Sequence, residues 1–379
     1  MSKVLFLTAY PIEDASCRYR VHHFVKYLQQ AGYDCTISSF ATPTLFRALR
    51  NGGRRVIKAQ QTLYCAFRRL FRLGTLSKFD LVVIHREAFP FFAPLVESWV
   101  IRLNSKVIFS FDDAIYHGHE DVSALNHPFL YRIKHGSGYD KVIRKSQHII
   151  VGNRILAQYA GQFNPNISII PTAVDCDQFW CKPLATNDGP ITIGWVGSQS
   201  TVSYLKLLEP VLQEIARRNP GRVRFRVYGC PDCNLQVPDC QSLPFRLDRE
   251  AEDVRSIDIG LMPLPDTDWT RGKCAFKAIQ YMASGIPTVA SPVGMTTELI
   301  QHNFNGLLAN SPAEWLCELE RLISDVGLRR RIAANARQTI EQHYSLQVWG
   351  PEFVSLITEL TRSDHLLANR SVAAHGRGI

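Results

Sequence analysis

The chain has 379 residues, of which 46% are hydrophobic and 20% charged, and its formal net charge is +9. A chain of this length is longer than a single hydrophobic core usually supports, so we predict two domains. The composition excludes a disordered chain, and the length excludes a small domain stabilised by disulfides. No apolar run reaches the roughly 18 residues that a membrane-spanning helix needs. The N-terminus enters a strand at once and lacks a signal-peptide cleavage pattern, so we expect a cytoplasmic protein whose ten cysteines stay reduced.

Strand-like and helix-like segments alternate in the first half of the chain. The predicted strands there are Val4–Thr8, Cys35–Ser38, Leu81–Ile84, Val107–Phe111 and His148–Val151. Helical apolar spacing falls between them, for example over Tyr19–Gln30 and Pro94–Asn104. Such alternation predicts a parallel α/β sheet.

A second series of the same kind follows a polar stretch at Lys182–Pro190, which we interpret as a linker. Its predicted strands are Thr192–Val196, Arg224–Tyr228, Ile259–Leu261 and Thr288–Ala290. Its predicted helices are Tyr204–Arg218, Cys274–Ala283 and Pro312–Ile323. Beyond them Leu328–Leu360 is helical except near Tyr344 and Gly350, and we expect residues 363–379 to be a disordered tail.

The stretch Asp258–Glu298 carries the strongest functional signal. A buried strand leads through a loop rich in Pro and Asp to Arg271 and Lys273, and a helix follows that ends at Gly285. Parallel sheets bind ligands at the carboxyl ends of their strands, where helix N-termini attract anions. Two cations at that place predict an anion site.

The same stretch resembles the donor-binding unit of retaining glycosyltransferases of family 4, which have the GT-B fold. Three further segments resemble that family in the right order: VLFLTAYPIEDASCRYRVHHFVKYLQQAGYDCTI, SIIPTAVDCDQF and ITIGWVGSQSTVSYLKLLEPVL. The resemblance implies two Rossmann-like parallel-sheet domains facing an interdomain cleft. These are an acceptor domain over residues 1–181 and a donor domain over residues 191–345, with a helix near 346–362 that packs back on the first domain.

Two groups of residues are candidates for binding a nucleotide diphosphate in the second domain. Arg271 and Lys273 come first, and Lys277, one helical turn on, is either a third cation or a surface lysine. A turn after strand Thr192–Val196 could aim hydroxyls and amides at phosphate, or simply cap a helix. Its residues are Gly197, Ser198, Ser200 and Thr201.

The chain departs from the family at two glutamates that have seven residues between them. Gln280 stands at the second, where the family holds the nucleotide ribose, and its amide oxygen could still accept a hydrogen bond. Gly272 stands at the first and cannot replace its contact with the donor sugar. Asp266 and Asp268 could substitute for that glutamate, or could serve the turn.

The candidate catalytic residues are Asp112 and Asp113, which end strand Val107–Phe111. Asp112 matches a position where many family members carry a histidine near the reacting sugar. It could orient an acceptor hydroxyl, take its proton, or cap a helix, and adjacent carboxylates are expected to raise each other's pKa. His85 and Arg86 also follow a strand, without an assigned role. Candidates for an acceptor or diphosphate lie in the first loop: Ser16, Arg18 and Arg20.

A basic segment runs from Phe46 to Phe79, with nine Lys or Arg residues interleaved with apolar ones and no acidic residue. This pattern predicts contact with an anionic membrane surface, or alternatively a solvated helix face. The usual nucleic-acid signatures are absent, so we expect no nucleic-acid partner.

Cys230, Cys233 and Cys240 form a C-x2-C-x6-C pattern without a recognisable fourth ligand, so we expect free thiols and no metal. Together with the resemblance, these residues predict a glycosyltransferase that uses a nucleotide-sugar donor and no further cofactor. The resemblance implies retention of the anomeric configuration, and the basic segment favours a cell-envelope glycan or lipid-linked acceptor. The protein would be cytoplasmic or peripheral on the inner face of the membrane. A nucleotide-sugar epimerase of the same fold and a non-catalytic nucleotide-binding scaffold are the alternatives.

Overall fold

The computed structural model describes residues 1–50, 54–90, 94–117, 138–181 and 189–375, with side chains up to residue 362. The chain divides into two compact units. The described residues before Pro171, together with those from Trp349 onward, form the first unit, and those of Pro171–Val348 form the second. The predicted linker at Lys182–Pro190 lies almost wholly outside the described residues.

The first unit is built on a parallel sheet with the order β2-β1-β3-β4-β5-β6. Its three central strands are buried almost throughout, as expected for a sheet covered on both faces. The strands are β1 (Lys3–Thr8), β2 (Asp34–Ser39), β3 (Leu81–His85), β4 (Val107–Phe111), β5 (His148–Val151) and β6 (Ile167–Ile169).

Helices connect these strands in the first unit. The first loop leads through the short helix Ala15–Cys17 and a π-helical turn, Arg18–His22, into helix His23–Gln30. The others are Pro43–Arg50, Arg55–Leu73, the 3-10 turn Leu76–Lys78, Leu95–Leu103, Gly138–Lys145 and Arg154–Ala160.

The second unit has a second parallel sheet, with the order β12-β11-β10-β7-β8-β9. Its strands are β7 (Ile191–Val196), β8 (Val223–Tyr228), β9 (Cys240–Leu243), β10 (Ile259–Met262), β11 (Thr288–Ala290) and β12 (Leu307–Leu308). Trp195 and Phe225 lie in its core together with Leu319 and Ile332 from two long helices. Its helices and 3-10 turns are Gln199–Thr201, Val202–Lys206, Glu209–Arg218, Leu247–Arg249, Glu250–Arg255, Asp268–Arg271, Phe276–Ala283, Thr296–Leu299, Pro312–Ser324 and Val326–His343.

The prediction of two Rossmann-like α/β domains is confirmed, and every predicted strand is present to within a residue at either end. Three short strands were not predicted: β6, β9 and β12, which have two to four residues each and lie at or beside sheet edges. The N-terminal part of the first unit extends to Ile170 and not to residue 181, since Val174 pairs with Ser345 and both belong to the second unit.

The last helix differs from the prediction in two ways. Helix Leu346–His375 passes through Gly350 without a break, and a Cβ at Gly350 would lie 2.4 Å from the Tyr27 ring, so the glycine permits close packing on helix His23–Gln30. Phe24 and Phe353 pack together at the same interface, with ring centroids 4.8 Å apart. The helix also continues past residue 363 to His375, and the disordered tail expected there stays a prediction.

Within the part of the chain that the structure describes, no helix is long and apolar enough to cross a membrane.

Candidate functional site

Polar side chains gather at the carboxyl ends of β1, β3 and β4 in the first unit. Asp112, which follows β4, is 7% exposed. Its carboxylate accepts hydrogen bonds from the Ser16 hydroxyl at 2.8 and 3.0 Å and from Arg86 Nε at 2.5 Å. Arg86 Nη2 donates to Asp113 at 2.5 Å, so one guanidinium joins both carboxylates. We call Ser16, His85, Arg86, Asp112 and Asp113 the carboxylate cluster.

Arg86 reaches both acids because of its backbone. It follows β3 with φ +59°, in the left-handed region that residues other than glycine seldom adopt, and its N–H donates to the Ser110 carbonyl at 2.7 Å. Strained backbone of this kind often occurs at functional sites. The sequence offers one signal for Arg86 and His85, their place after a strand at the same sheet edge as Asp112, but that signal assigns neither residue a role.

The pKa shifts in the carboxylate cluster leave Asp112 ionised and His85 neutral near pH 7. Burial alone would raise the pKa of Asp112, but the cations of Arg86 and Arg20 hold it well below its usual range. The expectation that adjacent carboxylates raise each other's pKa is therefore wrong for Asp112. The Arg86 guanidinium, which is hydrogen-bonded to Asp112, and the other cations together lower the pKa by more than burial raises it. Burial also lowers the pKa of His85 to about 3, so its imidazole is neutral near pH 7.

The Ser16 hydroxyl links these two groups. An ionised carboxylate only accepts hydrogen bonds, so the single hydroxyl proton of Ser16 points to Asp112. His85 Nε2 lies 2.8 Å from the same oxygen and is then the donor to it. The chain of hydrogen bonds runs from His85 through Ser16 to Asp112, and it fixes the carboxylate as an acceptor.

Arg18 and Arg20, the candidates for contact with an acceptor or a diphosphate, are 4% and 5% exposed. Arg18 Nη1 donates to the carbonyls of Ile12 at 2.8 Å and Glu13 at 3.3 Å, and Arg20 Nη1 donates to the carbonyl of Ile170. These contacts hold the first loop in shape. The structure thus brings Ser16, Asp112 and Asp113 together and places Arg20 near enough to Asp112 to lower its pKa.

A second group of predicted residues lies in the second unit, at the carboxyl ends of β7 and β10. After β7 the chain turns at Gly197, where a Cβ would lie 2.1 Å from the Trp195 ring. Lys277 Nζ lies 5.4 Å from the centroid of the same ring. Trp195 therefore brings the Gly197 turn and helix Phe276–Ala283 to one place, which the sequence spacing does not show.

The hydroxyls of the Gly197 turn bond to one another. Ser198 and Thr201 form a reciprocal capping box around the 3-10 turn Gln199–Thr201, and the Ser198 and Ser200 hydroxyls are 2.9 Å apart. The helix-capping interpretation of this turn is thus present in the structure. Contact with phosphate stays a prediction.

The three predicted cations differ in their surroundings. Arg271 pairs with Asp266 at 2.7 Å and with Asp268 at 3.2 Å on an exposed surface, so its charge is balanced locally. The same contacts occupy the two aspartates that could have replaced the missing family glutamate. Lys273 Nζ instead lies over the Trp269 ring, 5.1 Å from its centroid. Lys273 and Lys277 thus each lie over a tryptophan ring, and anion binding by either stays a prediction.

The backbone before helix Phe276–Ala283 is unusual. Ala275, its N-cap, has φ +50° and is 1% exposed. A left-handed residue next to a right-handed one turns successive amides towards one side, an arrangement that binds anions elsewhere. Gly294, with φ +56°, meets the Arg271 carbonyl so closely that a Cβ there would lie 2.2 Å from it, which joins the loop after β11 to this place.

Gln280 lies on the inner side of helix Phe276–Ala283 and is 2% exposed. Its Nε2 donates to Glu250 at 3.0 Å, and Glu250 is itself buried. A glutamine suits this position better than the family's glutamate would, because two buried carboxylates at that distance would repel. This pairing was not predicted, since Glu250 lies in a different helix. The ribose contact of Gln280 stays a prediction.

The three cysteines of the C-x2-C-x6-C pattern have free thiols. Cys230 and Cys233 are fully buried in the core of the second unit, and the Cys230 thiol donates to Gln199 Oε1 at 2.7 Å. Burial raises the pKa of Cys230 and of Cys240 to about 11, so both are protonated near pH 7. They pack as small apolar groups.

Comparisons with known proteins give a family match for part of the chain. Residues 190–325 match the family model described as Glycosyl transferases group 1. A 70-residue stretch is 36% identical to an uncharacterized glycosyltransferase, MJ1607, of Methanocaldococcus jannaschii, and it covers 18% of this chain and 18% of that protein.

Solved structures match over nearly the full length. Sucrose-phosphate synthase from Thermosynechococcus elongatus has a TM-score of 0.69 at 13% identity, covering 96% of this chain and all of that one. Anabaena HepE, solved with UDP and glucose, has a TM-score of 0.68 at 14% identity, covering 95% of this chain and all of that one. The chain therefore has the GT-B fold, and its residues 190–325 carry the match to the Glycosyl transferases group 1 family.

Proposed function

We propose that the protein is a glycosyltransferase that moves a sugar from a nucleoside-diphosphate donor to an acceptor hydroxyl. The observation that carries the proposal is the place of Lys273 and Lys277. Both follow β10 inside the region that matches Glycosyl transferases group 1; Lys277 lies over Trp195, next to the Gly197 turn, and Lys273 lies over Trp269.

The donor half of the reaction makes negative charge. When the bond between the sugar and the diphosphate breaks, the leaving group gains charge that cations and backbone amides can stabilise without a metal. Lys273, Lys277 and the amides around Ala275 would supply that stabilisation. Complexes of HepE with UDP-glucose and with UDP support a uridine nucleotide as the first donor to test.

The acceptor half is assigned to the carboxylate cluster of the first unit. Asp112 is ionised and its pKa is lowered, so it is a weak base but a firm hydrogen-bond acceptor. It would orient the acceptor hydroxyl while the proton passes to the leaving phosphate oxygen as the new sugar–oxygen bond forms. Such front-face transfer retains the anomeric configuration and needs no carboxylate nucleophile.

Finer features of the proposal rest on the family resemblance and the basic segment. They are a retaining hexosyl transfer within family 4, an acceptor in cell-envelope polysaccharide or lipid-linked glycan synthesis, and a cytoplasmic location. No specific observation favours the epimerase or the scaffold over a transferase.

Calorimetric titration of the purified protein with UDP, GDP, ADP and their nucleosides tests the donor site. Lys273→Ala should weaken the preferred diphosphate by roughly 10- to 100-fold, since hydrogen bonds to charged groups contribute about 1.5–3 kcal/mol. The nucleoside should bind almost as before. Arg331→Ala, which removes an exposed cation from the same unit, is the matched control.

Equal weakening of diphosphate and nucleoside would remove Lys273 from the phosphate site. Sugar transfer to a panel of glycan and lipid-linked acceptors then tests the reaction. Donor turnover that no acceptor stimulates would favour the epimerase, and nucleotide binding without any turnover would favour the scaffold.

A further inference from the structure

Helix Arg55–Leu73 of the first unit has apolar side chains on two opposite faces. Its inner face buries Cys65 and Leu73 against the unit. The outer face carries apolar side chains that are 43–76% exposed: Val56, Ile57, Leu63, Tyr64, Phe67, Leu70 and Phe71. A helix that served only the fold would be polar on that side.

The outer apolar residues form one continuous stripe. Val56, Leu63, Phe67 and Phe71 are separated by seven, four and four residues, so they lie on one side of the helix. At about 1.5 Å of rise per residue the stripe is roughly 22 Å long. Phe67 and Phe71, at 75% and 76% exposure, stand farthest from the unit.

Basic side chains border the stripe. Arg54 and Arg55 are exposed at its start, and Lys58 and Arg72 are partly exposed at its side. No acidic residue occurs from Phe46 to Phe79 to balance them. Arg69 is the exception, because it is 2% exposed and its Nη2 donates to the carbonyls of Thr8 and Ser38, both at 2.9 Å.

A cavity of about 400 Å³ opens beside the C-terminal half of this helix. Arg68, Phe71 and Arg72 line one side of it, and Ser39 and Thr42 line another. Guanidinium and hydroxyl groups are the donors that hold phosphate esters in proteins. Arg68 Nη2 donates to the carbonyls of Ser39 and Phe40 at 2.7 and 2.8 Å, which holds this guanidinium at the edge of the cavity.

We propose that the outer face of helix Arg55–Leu73 docks on a bilayer surface that contains anionic phospholipids, with Leu63, Phe67 and Phe71 inserted among the head groups. An apolar stripe with basic borders is the pattern of helices that lie in the membrane interface. A second copy of the chain is disfavoured as occupant, because pairing these faces would bring like charges together. The inference rests on a different surface from the donor site and does not depend on the proposed function.

Co-sedimentation of the full chain with vesicles tests the docking. The wild type should bind vesicles of phosphatidylcholine mixed with phosphatidylglycerol, bind pure phosphatidylcholine weakly, and lose binding as salt rises, because screening shortens the reach of exposed charges to about 8–10 Å. Phe67→Gln with Phe71→Gln should lower partitioning by roughly 100-fold, since burial of each Phe side chain contributes at least about tenfold. Phe67→Trp with Phe71→Trp should restore it.

The charge contribution has its own variant and control. Arg55→Gln, Lys58→Gln and Arg72→Gln together should weaken binding to the anionic vesicles by roughly 100-fold, at about fivefold for each charge. Arg222→Gln, Arg330→Gln and Arg331→Gln remove the same charge from the exposed surface of the second unit and should change binding little.

Unchanged partitioning of the double Gln variant at Phe67 and Phe71 would overturn the proposal. So would a concentration-dependent dimer that these two substitutions abolish, because the occupant would then be a second copy. Nucleotide binding, measured in parallel, should be the same in all variants. The two proposals can therefore fail separately: loss of nucleotide binding concerns the donor site, and loss of vesicle binding concerns membrane docking.

Discussion

Replacing Arg86 by methionine should turn the ionised Asp112 from a group that stabilises the fold into one that destabilises it. In the wild type one guanidinium donates to Asp112 and Asp113 at 2.5 Å each, and the side chains of the two acids are only 8% and 16% exposed. Without Arg86, Asp112 keeps the Ser16 hydroxyl but stays buried beside a second carboxylate. Removal of one partner from a buried pair costs about 3–5 kcal/mol. Because the Arg86 side chain is itself 27% exposed, we expect a loss of unfolding free energy at the lower end of this range, about 3 kcal/mol at pH 7.

The pH dependence follows from the direction of the pKa shift. The pKa of Asp112 is lowered in the folded wild type, so its contribution is present above the unfolded pKa, near 4, and is lost only as pH falls through the folded value. In Arg86→Met the uncompensated burial raises the folded pKa instead. The penalty is then full at pH 7 and shrinks as pH falls towards about 4, so the difference between the two proteins should be at least about 1 kcal/mol smaller at pH 5.

Buried cysteines report the unfolding of each unit separately. Cys65, which is fully buried in the first unit, and Cys230, in the core of the second, should react with 4,4′-dithiodipyridine only when their own unit unfolds in urea. Peptide mass spectrometry then gives one transition for each unit at pH 7 and at pH 5. The Cys65 transition should move in Arg86→Met and the Cys230 transition should not.

Arg102→Met is the matched control, because Arg102 is exposed in the same unit and should contribute under about 0.5 kcal/mol. Arg86→Lys should fall between wild type and Arg86→Met, since a lysine keeps the charge but cannot bridge both acids as a fork does. A loss below about 0.5 kcal/mol in Arg86→Met that is equal at both pH values would refute the reasoning, because Arg86 would then not set the charge state of Asp112.

Three further predictions concern single positions. Asp112→Asn should lower sugar transfer by roughly 100-fold, and the wild-type rate should show no titration of Asp112 between pH 5 and 8 because this group is already ionised; a rate unchanged by the substitution would leave Asp112 a structural role. Gln280→Glu should destabilise the second unit by about 2–4 kcal/mol in the Cys230 transition, less so at pH 5, since the new carboxylate would face Glu250 at about 3 Å; a neutral result would mean that Gln280 leaves Glu250 readily. Gly197→Ala should cost about 2 kcal/mol or more in the same assay, because its Cβ would lie 2.1 Å from the Trp195 ring, whereas Gly189→Ala meets no atom within 4 Å and should be neutral; equal stability of both would show that Trp195 can move aside.

The sequence by itself determined the architecture and the edges at which polar residues gather. Strands such as β3 and β4 are read as continuous apolar runs, because a parallel sheet covered by helices buries both faces of its central strands. The polar residues that follow them must lie at one edge, since parallel strands all end there. Asp112 and Lys273 could therefore be selected as candidate site residues from the sequence alone.

Only the tertiary structure decided which charges meet. Arg69 and Arg72 are three residues apart in one basic helix, yet Arg69 is buried on backbone carbonyls and Arg72 lines a surface cavity. The depressed pKa of Asp112 depends on Arg86, and the local sequence does not predict the left-handed backbone of Arg86. Interactions of this kind join residues distant in the chain, so they are set by the packing of elements. The spacing of residues within one element cannot reveal them.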